Sequence, residues 1–287
     1  MKLILGDNQF FGVNHFDLAK ARQTQQLFSN KTKISEFIEE SMSLGLDGFM
    51  INSNETGFQL ISEFNFADHP NIECHYSIPY PHKYASIVNE SGMMALLTLI
   101  LKNIRPQDYI NVTKFLLTSN AIHLIPTIIR LETPKNLPKG SVVYLQNVVL
   151  DLILGLKNGD KIINTFIETV EKMGYKPGII TLNPGYFRIK LEKLAKQREL
   201  YLCFNINKTG FNVFPSLKSV QKEIINLRKR TNWKLVGMSV FSSGSSKVSI
   251  QESTDFITNI DLDYVIFGTS KLSNVSSNMK LLSKQNT

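Results

Sequence analysis

The stretch Asp263-Tyr-Val-Ile-Phe-Gly-Thr-Ser-Lys-Leu-Ser-Asn-Val-Ser-Ser-Asn278 joins a strand signal, a loop signal and a helix signal. Tyr264 to Phe267 is an apolar run typical of a buried strand, and Gly268-Thr269-Ser270 is a small-residue loop before a polar helix start. Glycine lets an anion approach the backbone, hydroxyls donate, and the free N–H groups and dipole of a helix N-terminus favour negative charge. The stretch therefore indicates a phosphate site, and the open alternative is an ordinary polar turn.

The same succession of an apolar run and a helical segment recurs along the whole chain. Continuous apolar runs are typical of parallel strands that are buried on both faces. Segments with helical spacing separate them, for example Ile34-Phe37-Ile38-Met42. The predicted strands are Leu3–Leu5, Gly48–Asn52, Ile72–Ile78, Val142–Gln146, Gly178–Leu182, Tyr201–Asn205, Lys234–Val240 and Tyr264–Phe267. Eight β–α alternations predict an α/β fold, the closed (β/α)8 TIM barrel, as a single domain over residues 1–287.

One helical insertion interrupts this rhythm after strand 3, from Pro81 to Gly140. Its apolar spacing predicts helices over Met93 to Leu101 and Val112 to Arg130, the second kinked near Pro126. Ile122 to Ile129 is apolar enough for a strand, but proline is poor in a central strand, which favours helix. The insertion either caps the C-terminal face of the barrel or decorates its outside.

The amino-acid composition limits the expected cellular location and the expected binding partners of the protein. No run of 18 apolar residues exists, and the chain enters a strand at once, so we expect no membrane span and no signal peptide. Cys74 and Cys203 lie in apolar runs without a CxxC partner, which is typical of buried thiols in a reducing cytoplasm.

The net charge is +8, but the basic residues are scattered over many helices. The charge therefore favours attraction of small anionic substrates over nucleic-acid binding. The oligomeric state stays open.

Side-chain amides are concentrated where the predicted strands end, which is the face where barrel enzymes bind their substrates. Amides donate and accept at once, so they suit hydroxyl-rich ligands such as sugars, although asparagine also populates turns and helix caps. The predicted substrate-binding residues are Asn8, Gln9, Asn14, Asn52, Asn54, Glu55, Tyr80, Gln146, Asn147, Asn183, Asn205 and Asn207. Ser242, Ser243 and Gly244, at the end of strand 7, are expected to join Gly268, Thr269, Ser270 and Asn278 in binding phosphate.

Five ionisable residues near the strand ends are the candidate catalytic groups: Asp7, His15, His82, Lys83 and Lys208. Asp7 could orient His15, and His82 with Lys83 could form an acid–base pair, or these residues could simply start a solvated helix. Lys208 follows strand 6. It could bind a phosphate, act as a base, or be an ordinary surface lysine. No metal-ligand spacing such as HExxH is present, so no metal site is predicted.

The second half of the chain resembles the aldo-keto reductase superfamily. Gly268-Thr269-Ser270 followed by Asn278 is similar to that family's cofactor-phosphate motif, and Met238 to Gly244 resembles the preceding strand-7 segment. Gly45-Leu46-Asp47-Gly48-Phe49 resembles the family's approach to strand 2. Gly6 to His15 and Asn205 to Phe211 resemble a divergent bacterial group of aldo-keto-reductase-like barrels. The resemblance implies a TIM barrel. It also implies NADPH as a candidate cofactor, which the missing catalytic residues do not favour.

The family's catalytic Asp, Tyr, Lys and His have no clean counterparts here. Their positions fall near Met50, Glu55, Tyr80 and Gln146, with Lys83 just beyond Tyr80. Three functions stay open. The favoured one is a non-redox isomerase, epimerase or lyase that acts on a phosphorylated or nucleotide-linked carbohydrate by acid–base chemistry. The others are an NAD(P)H-dependent reductase with a rearranged site and a catalytically silent barrel that binds a polar ligand or a partner.

Overall fold

Eight parallel strands close into a barrel in the order β1 to β8, with β8 paired to β1. The computed structural model describes residues 1–13, 18–118, 120–195, 198–230, 232–242 and 247–283. The strands are β1 Lys2–Leu5, β2 Gly48–Asn52, β3 Glu73–Ile78, β4 Val142–Leu145, β5 Lys176–Thr181, β6 Tyr201–Asn205, β7 Lys234–Met238 and β8 Tyr264–Phe267. The predicted (β/α)8 TIM barrel is confirmed, because all eight strands are parallel and the pairing of β8 with β1 closes the sheet.

The main differences from the predicted strands concern β7 and β5. β7 ends at Met238 instead of Val240 because Ser239 has a φ of 58°, a left-handed conformation that leaves the pleated strand. β5 begins at Lys176, two residues earlier than the apolar run, and ends at Thr181. Both differences arise from backbone geometry and pairing, which hydrophobicity does not report.

Twelve α-helices surround the barrel within the residues that the structure describes. They are α1 Leu18–Leu27, α2 Lys31–Ser43, α3 Glu55–Glu63, α4 Pro81–Lys102, α5 Tyr109–Thr118, α6 Ile125–Glu132, α7 Asn147–Leu154, α8 Gly159–Lys172, α9 Pro184–Ala195, α10 Leu217–Arg230, α11 Ile250–Thr258 and α12 Leu272–Ser283. Among these described helices none is long and apolar enough to cross a membrane.

The helices α4, α5 and α6 lie between β3 and β4. The expected continuous helix over Val112 to Arg130 is wrong: α5 ends at Thr118, a 3₁₀ turn follows, and α6 begins at Ile125. Pro126 lies in the first turn of α6, where its missing N–H costs nothing, so it starts a helix instead of kinking one. Ile122 to Ile129 is helical, as expected, and not a strand.

The last turn of α6 is attached to the barrel through a buried carboxylate. The hydroxyl of Ser53, after β2, donates to Glu132 Oε2 over 2.6 Å, and both side chains are buried. On the other side of the insertion, Arg130 is paired with the buried Asp108. The insertion is therefore fixed to the C-terminal ends of the strands by polar as well as apolar contacts.

Two apolar clusters hold the fold together. The larger one fills the space between strands and helices, and the smaller one fills the barrel interior around residues such as Ile4, Val142 and Val236. Tyr144 lies in this interior, and its ring occupies the place where a side chain on Gly178 would be. Packing inside the barrel therefore closes its lower part and leaves space only near the C-terminal ends of the strands.

Candidate functional site

A cavity of about 660 Å³ opens at the C-terminal ends of the strands. This volume is within the range of about 300–1,000 Å³ that is usual for small-molecule sites. Its polar wall is formed by Gly6, Asp7, Asn8, Gln9, Asn52, Ser77, Gln146, Asn147, Ser239, Ser253, Gly268, Thr269, Ser270, Lys271, Asn274 and Asn278. Strand-end reasoning thus located the cavity, and ten of the residues predicted from the sequence line it: Asp7, Asn8, Gln9, Asn52, Gln146, Asn147, Gly268, Thr269, Ser270 and Asn278.

Asp7 is the cavity's carboxyl group, and two hydrogen bonds fix its position. Its Oδ2 accepts from the backbone N–H of Asn52 over 2.8 Å and from Asn52 Nδ2 over 2.7 Å. The amide oxygen of Asn52 in turn accepts from the backbone N–H of Asn54, which locks the amide's orientation. Burial raises the pKa of Asp7 to about 6, against the opposing effect of the hydrogen bonds from Asn52. A rigid carboxyl group that titrates near neutral pH can both take and return a proton.

The loop after β8 presents donors to the cavity beside Asp7. Gly268, Thr269, Ser270 and Lys271 line it, and α12 begins at the next residue. Asn278 lines the cavity from inside this helix and is buried. Lys271, the residue directly after Ser270, adds a positive charge and was not part of the predicted phosphate motif. The predicted phosphate site is called the anion cradle below and is defined as Gly268, Thr269, Ser270, Lys271 and the first turn of α12.

Gln9 explains why residue 268 is a glycine. The amide Nε2 of Gln9 donates to the carbonyl of Gly6, which fixes the direction of Oε1. A Cβ on residue 268 would lie 2.7 Å from this Oε1, closer than such atoms can approach. Oε1 itself is buried without a hydrogen-bond partner in the described part of the molecule. The absence of a side chain at Gly268 therefore lets the loops after β1 and β8 pack together.

Amide groups also line the far side of the mouth. Gln146 follows β4 and Asn147 starts α7, and both line the cavity with Ser77 of β3. The Oε1 of Gln146 is buried, and within the described ranges it accepts no hydrogen bond. Among the described lining residues, Asp7 and Lys271 are the ionisable ones, so this side of the cavity is polar and uncharged.

Several predicted site residues lie outside the cavity wall. Asn54 and Asn183 accept backbone N–H groups at the starts of α3 and α9, so they act as helix caps. Glu55 is exposed in the first turn of α3, and Tyr80 is the residue before α4. The placements of Asn54 and Asn183 follow from the strong preference of asparagine for helix N-termini, which competes with any binding role.

The residues after β6 are engaged with one another and with the loop after β7. The buried Asn207 holds its own loop by bonding the backbone of Phe211, and Asn205 is buried at the end of β6. Lys208 pairs with the exposed Glu252 of α11 over 3.0 Å and is not among the described residues that line the cavity. Thr209 donates to the hydroxyl of Ser242, which is buried.

Some predicted residues cannot be placed. Asn14, His15, Ser243 and Gly244 lie outside the residues that the structure describes. His82 and Lys83 belong to the first turn of α4, but their side chains are outside the described set. The proposed pairing of Asp7 with His15 and the pairing of His82 with Lys83 therefore stay predictions.

The cavity floor is apolar, which the sequence reasoning missed. Met50, Ile180, Met238 and Ile266 line it from four different strands. Each of them belongs to, or packs against, the cluster inside the barrel. Their inward direction follows from the alternation of side chains along each strand, which was the signal available in the sequence.

No protein-family model matches the chain, and no curated protein matches its sequence. Solved structures do match its fold. An aldo-keto reductase from Bacillus halodurans in its holo form gives a TM-score of 0.57 at 10% identity, over 99% of this chain and 87% of that chain. A proposed aldo-keto reductase from Pseudomonas aeruginosa gives a TM-score of 0.60 at 8% identity, over 99% of this chain and 90% of that chain. The expected aldo-keto-reductase-like TIM barrel is confirmed at the level of the fold.

Proposed function

We propose that this protein is an isomerase, epimerase or lyase that moves a proton on a phosphorylated or nucleotide-linked carbohydrate. The observation that carries the proposal is Asp7, a carboxyl group with its pKa raised to about 6 in a cavity that also contains the anion cradle. A base whose pKa is close to the working pH combines ionisation with basicity. The amides and hydroxyls of the wall suit a polyhydroxy ligand.

The anion cradle orients the substrate. A phosphate group there accepts hydrogen bonds from backbone N–H groups and from Thr269 and Ser270, and Lys271 supplies a positive charge. Because Gly6 donates to the carbonyl of Phe267 over 2.8 Å, the start of this loop is held beside Asp7. A sugar carbon close to the phosphate end therefore lies within reach of the carboxylate.

The proposed proton transfer needs no oxidant or reductant. Asp7 removes a proton from the carbon next to a carbonyl group, and the C–H electron pair becomes the C=C bond of an enediolate. The carbonyl oxygen takes the negative charge. The neutral Asp7 then returns the proton to the same carbon, or to the former carbonyl carbon while the proton of the neighbouring hydroxyl moves to the former carbonyl oxygen. The hydrogen bonds from Asn52 hold the carboxyl group in place through both protonation states.

Solvent exchange tests this function across a panel of substrate classes. We expect the protein to exchange a carbon-bound hydrogen of at least one compound among aldose phosphates, ketose phosphates and nucleotide sugars in D2O, followed by NMR. The Asp7→Asn variant should lose the exchange while it still binds inorganic phosphate. Exchange that survives in Asp7→Asn, or a panel without any exchange, would contradict the proposal.

A nicotinamide-dependent reductase is the second candidate, and the shared fold with aldo-keto reductases favours it. The anion cradle fits a dinucleotide phosphate. The residues at the four catalytic positions of that family do not fit its proton transfer: Met50 is apolar, Gln146 does not titrate, Glu55 is exposed and Tyr80 does not line the cavity. Quenching of protein fluorescence by NADPH, followed by aldehyde reduction, would favour this candidate.

A further inference from the structure

The wall of the mouth opposite the anion cradle is polar and carries no charge among its described residues. In the closed barrel β4 lies across from β8, so Gln146 faces the cavity from the side opposite to Gly268 and Lys271. Ser77 and Asn147 line the cavity beside it. Asp7 and Lys271, the described ionisable residues of the wall, both lie toward β1 and β8. The described residues of the far side therefore offer amides and a hydroxyl and no cation for an anionic group.

Gln146 has a fixed backbone and an unused amide. Its N–H donates to the carbonyl of Ile78 over 3.0 Å, and its own carbonyl accepts from Leu150 over 2.9 Å. Its side-chain Oε1 is buried and accepts no hydrogen bond from any residue that the structure describes. An unsatisfied buried amide oxygen costs about 1–3 kcal/mol. Gln146 lines the cavity, and a side-chain amide can accept from a substrate hydroxyl and donate to it.

We propose that Gln146 is a specificity-determining residue that binds an uncharged hydroxyl at the end of the substrate away from its phosphate. The substrate is then a sugar that is phosphorylated at one end only. This inference rests on the proposed function, because the phosphate must occupy the anion cradle. A second phosphate beside Gln146 would be desolvated without a counter-charge from any described residue, so bisphosphates should bind more weakly.

A matched pair of sugars tests this. D-fructose 6-phosphate and D-fructose 1,6-bisphosphate differ by one phosphate at the opposite end of the molecule. We expect calorimetry to show that the wild-type protein binds the monophosphate at least ~10-fold more tightly. The Gln146→Lys variant should reverse this order. Leu152→Lys adds the same charge to the exposed surface of α7, the helix that follows Gln146, and should leave the order unchanged.

Inorganic phosphate separates the possible failures. If it binds the wild type, but the bisphosphate binds as tightly as the monophosphate or Gln146→Lys changes nothing, the inference is overturned and the anion cradle stands. If neither phosphate nor either sugar binds, the inference falls together with the proposed function. Should Gln146→Lys not fold, Gln146→Leu replaces it: this variant must weaken monophosphate binding by about 10-fold and leave inorganic phosphate binding unchanged.

Discussion

Two carboxyl groups at opposite ends of the same barrel have opposite environments. Asp7, at the C-terminal mouth, receives hydrogen bonds from Asn52 but has no positively charged partner among the described residues, and burial raises its pKa to about 6. Glu73, at the N-terminal end, lies beside His75 and pairs with Lys2. These two neighbours, with His75 the larger influence, lower the pKa of Glu73 to about 2.

The comparison separates a group that is arranged for chemistry from one that is arranged for stability. Glu73 is ionised and paired at any ordinary pH, so it has no proton to give. His75 is buried, its Nδ1 is 2.9 Å from the hydroxyl of Tyr144, and desolvation lowers its pKa, so it stays neutral. Asp7 alone of the three can change its protonation state near neutral pH, which is typical of a functional group.

The largest expected effect is the loss of proton transfer in Asp7→Asn. Because an amide cannot act as a base, the exchange rate should fall by about 10²–10⁴-fold. The matched control is Glu73→Gln at the other end of the barrel, which should keep the wild-type rate in the same NMR assay. A similar loss of rate in both variants would show that the two ends do not differ in function.

The pH dependence sharpens the same contrast. Proton abstraction needs ionised Asp7, so kcat/KM should fall as pH decreases through about 6, by a factor approaching ten per pH unit. The pKa of Asp7 is raised in the folded state, so its ionisation opposes folding above that pH. The free energy of unfolding of Asp7→Asn, relative to that of the wild type, should therefore be higher at pH 8 than at pH 4. We expect a difference of about 1–2 kcal/mol, because water in the open cavity screens the Asp7 charge. Thermal unfolding at both pH values measures this.

Glu73→Gln should destabilise the protein by about 2 kcal/mol at pH 7, less than the ~3–5 kcal/mol for a fully buried pair, because Lys2 and Glu73 remain partly exposed. The folded pKa of Glu73 is below its ordinary value of 4.5, so its contribution is present above pH 4.5. It is lost as pH falls toward 2. Denaturation curves of the two proteins should converge over this range, and a gap at pH 2.5 as large as that at pH 7 would contradict the assignment.

Gly268→Ala should weaken phosphate binding by about 10-fold, equivalent to 1.4 kcal/mol. The added Cβ meets Gln9 Oε1 and displaces the cradle loop. The double variant Gln9→Ala with Gly268→Ala removes the obstructing oxygen and should restore much of the affinity. Equal affinities for the single and the double variant in phosphate titrations would show that the contact does not shape the cradle.

The smallest effect is expected for Tyr144→Phe, which removes the hydroxyl that contacts His75 Nδ1. Loss of this buried hydrogen bond should lower the free energy of unfolding by about 1 kcal/mol. The exchange rate should not change, because Tyr144 does not line the cavity. A reduced rate with unchanged stability would instead connect the barrel interior to the chemistry.

The sequence predicted the fold from patterns that burial imposes directly. β2, β6 and β8 match the predicted bounds because their apolar runs coincide with the paired residues. The end of β7 was missed because a serine in left-handed conformation carries no hydrophobic signal. The break between α5 and α6 was missed because Pro126 fits both a kink and a helix start.

The candidate site was predictable only where position along a strand decides it. Asp7, Asn52 and Gln146 were found because they directly follow or end their strands. Lys208 was misplaced because its partner, Glu252, lies in a distant helix that strand-end reasoning does not consider. The raised pKa of Asp7 depends on three-dimensional burial and could not be predicted from neighbouring residues.

The hydrogen bond between Ser53 and Glu132 has a consequence for cooperativity. It joins residues that are 79 positions apart, so it forms only after β2 and the helical insertion have both reached their places. Opening of α6 would carry the Glu132 carboxylate away and leave the Ser53 hydroxyl without this bond. The insertion and the mouth of the barrel should therefore unfold as one unit, with matching protection of their amides from hydrogen exchange.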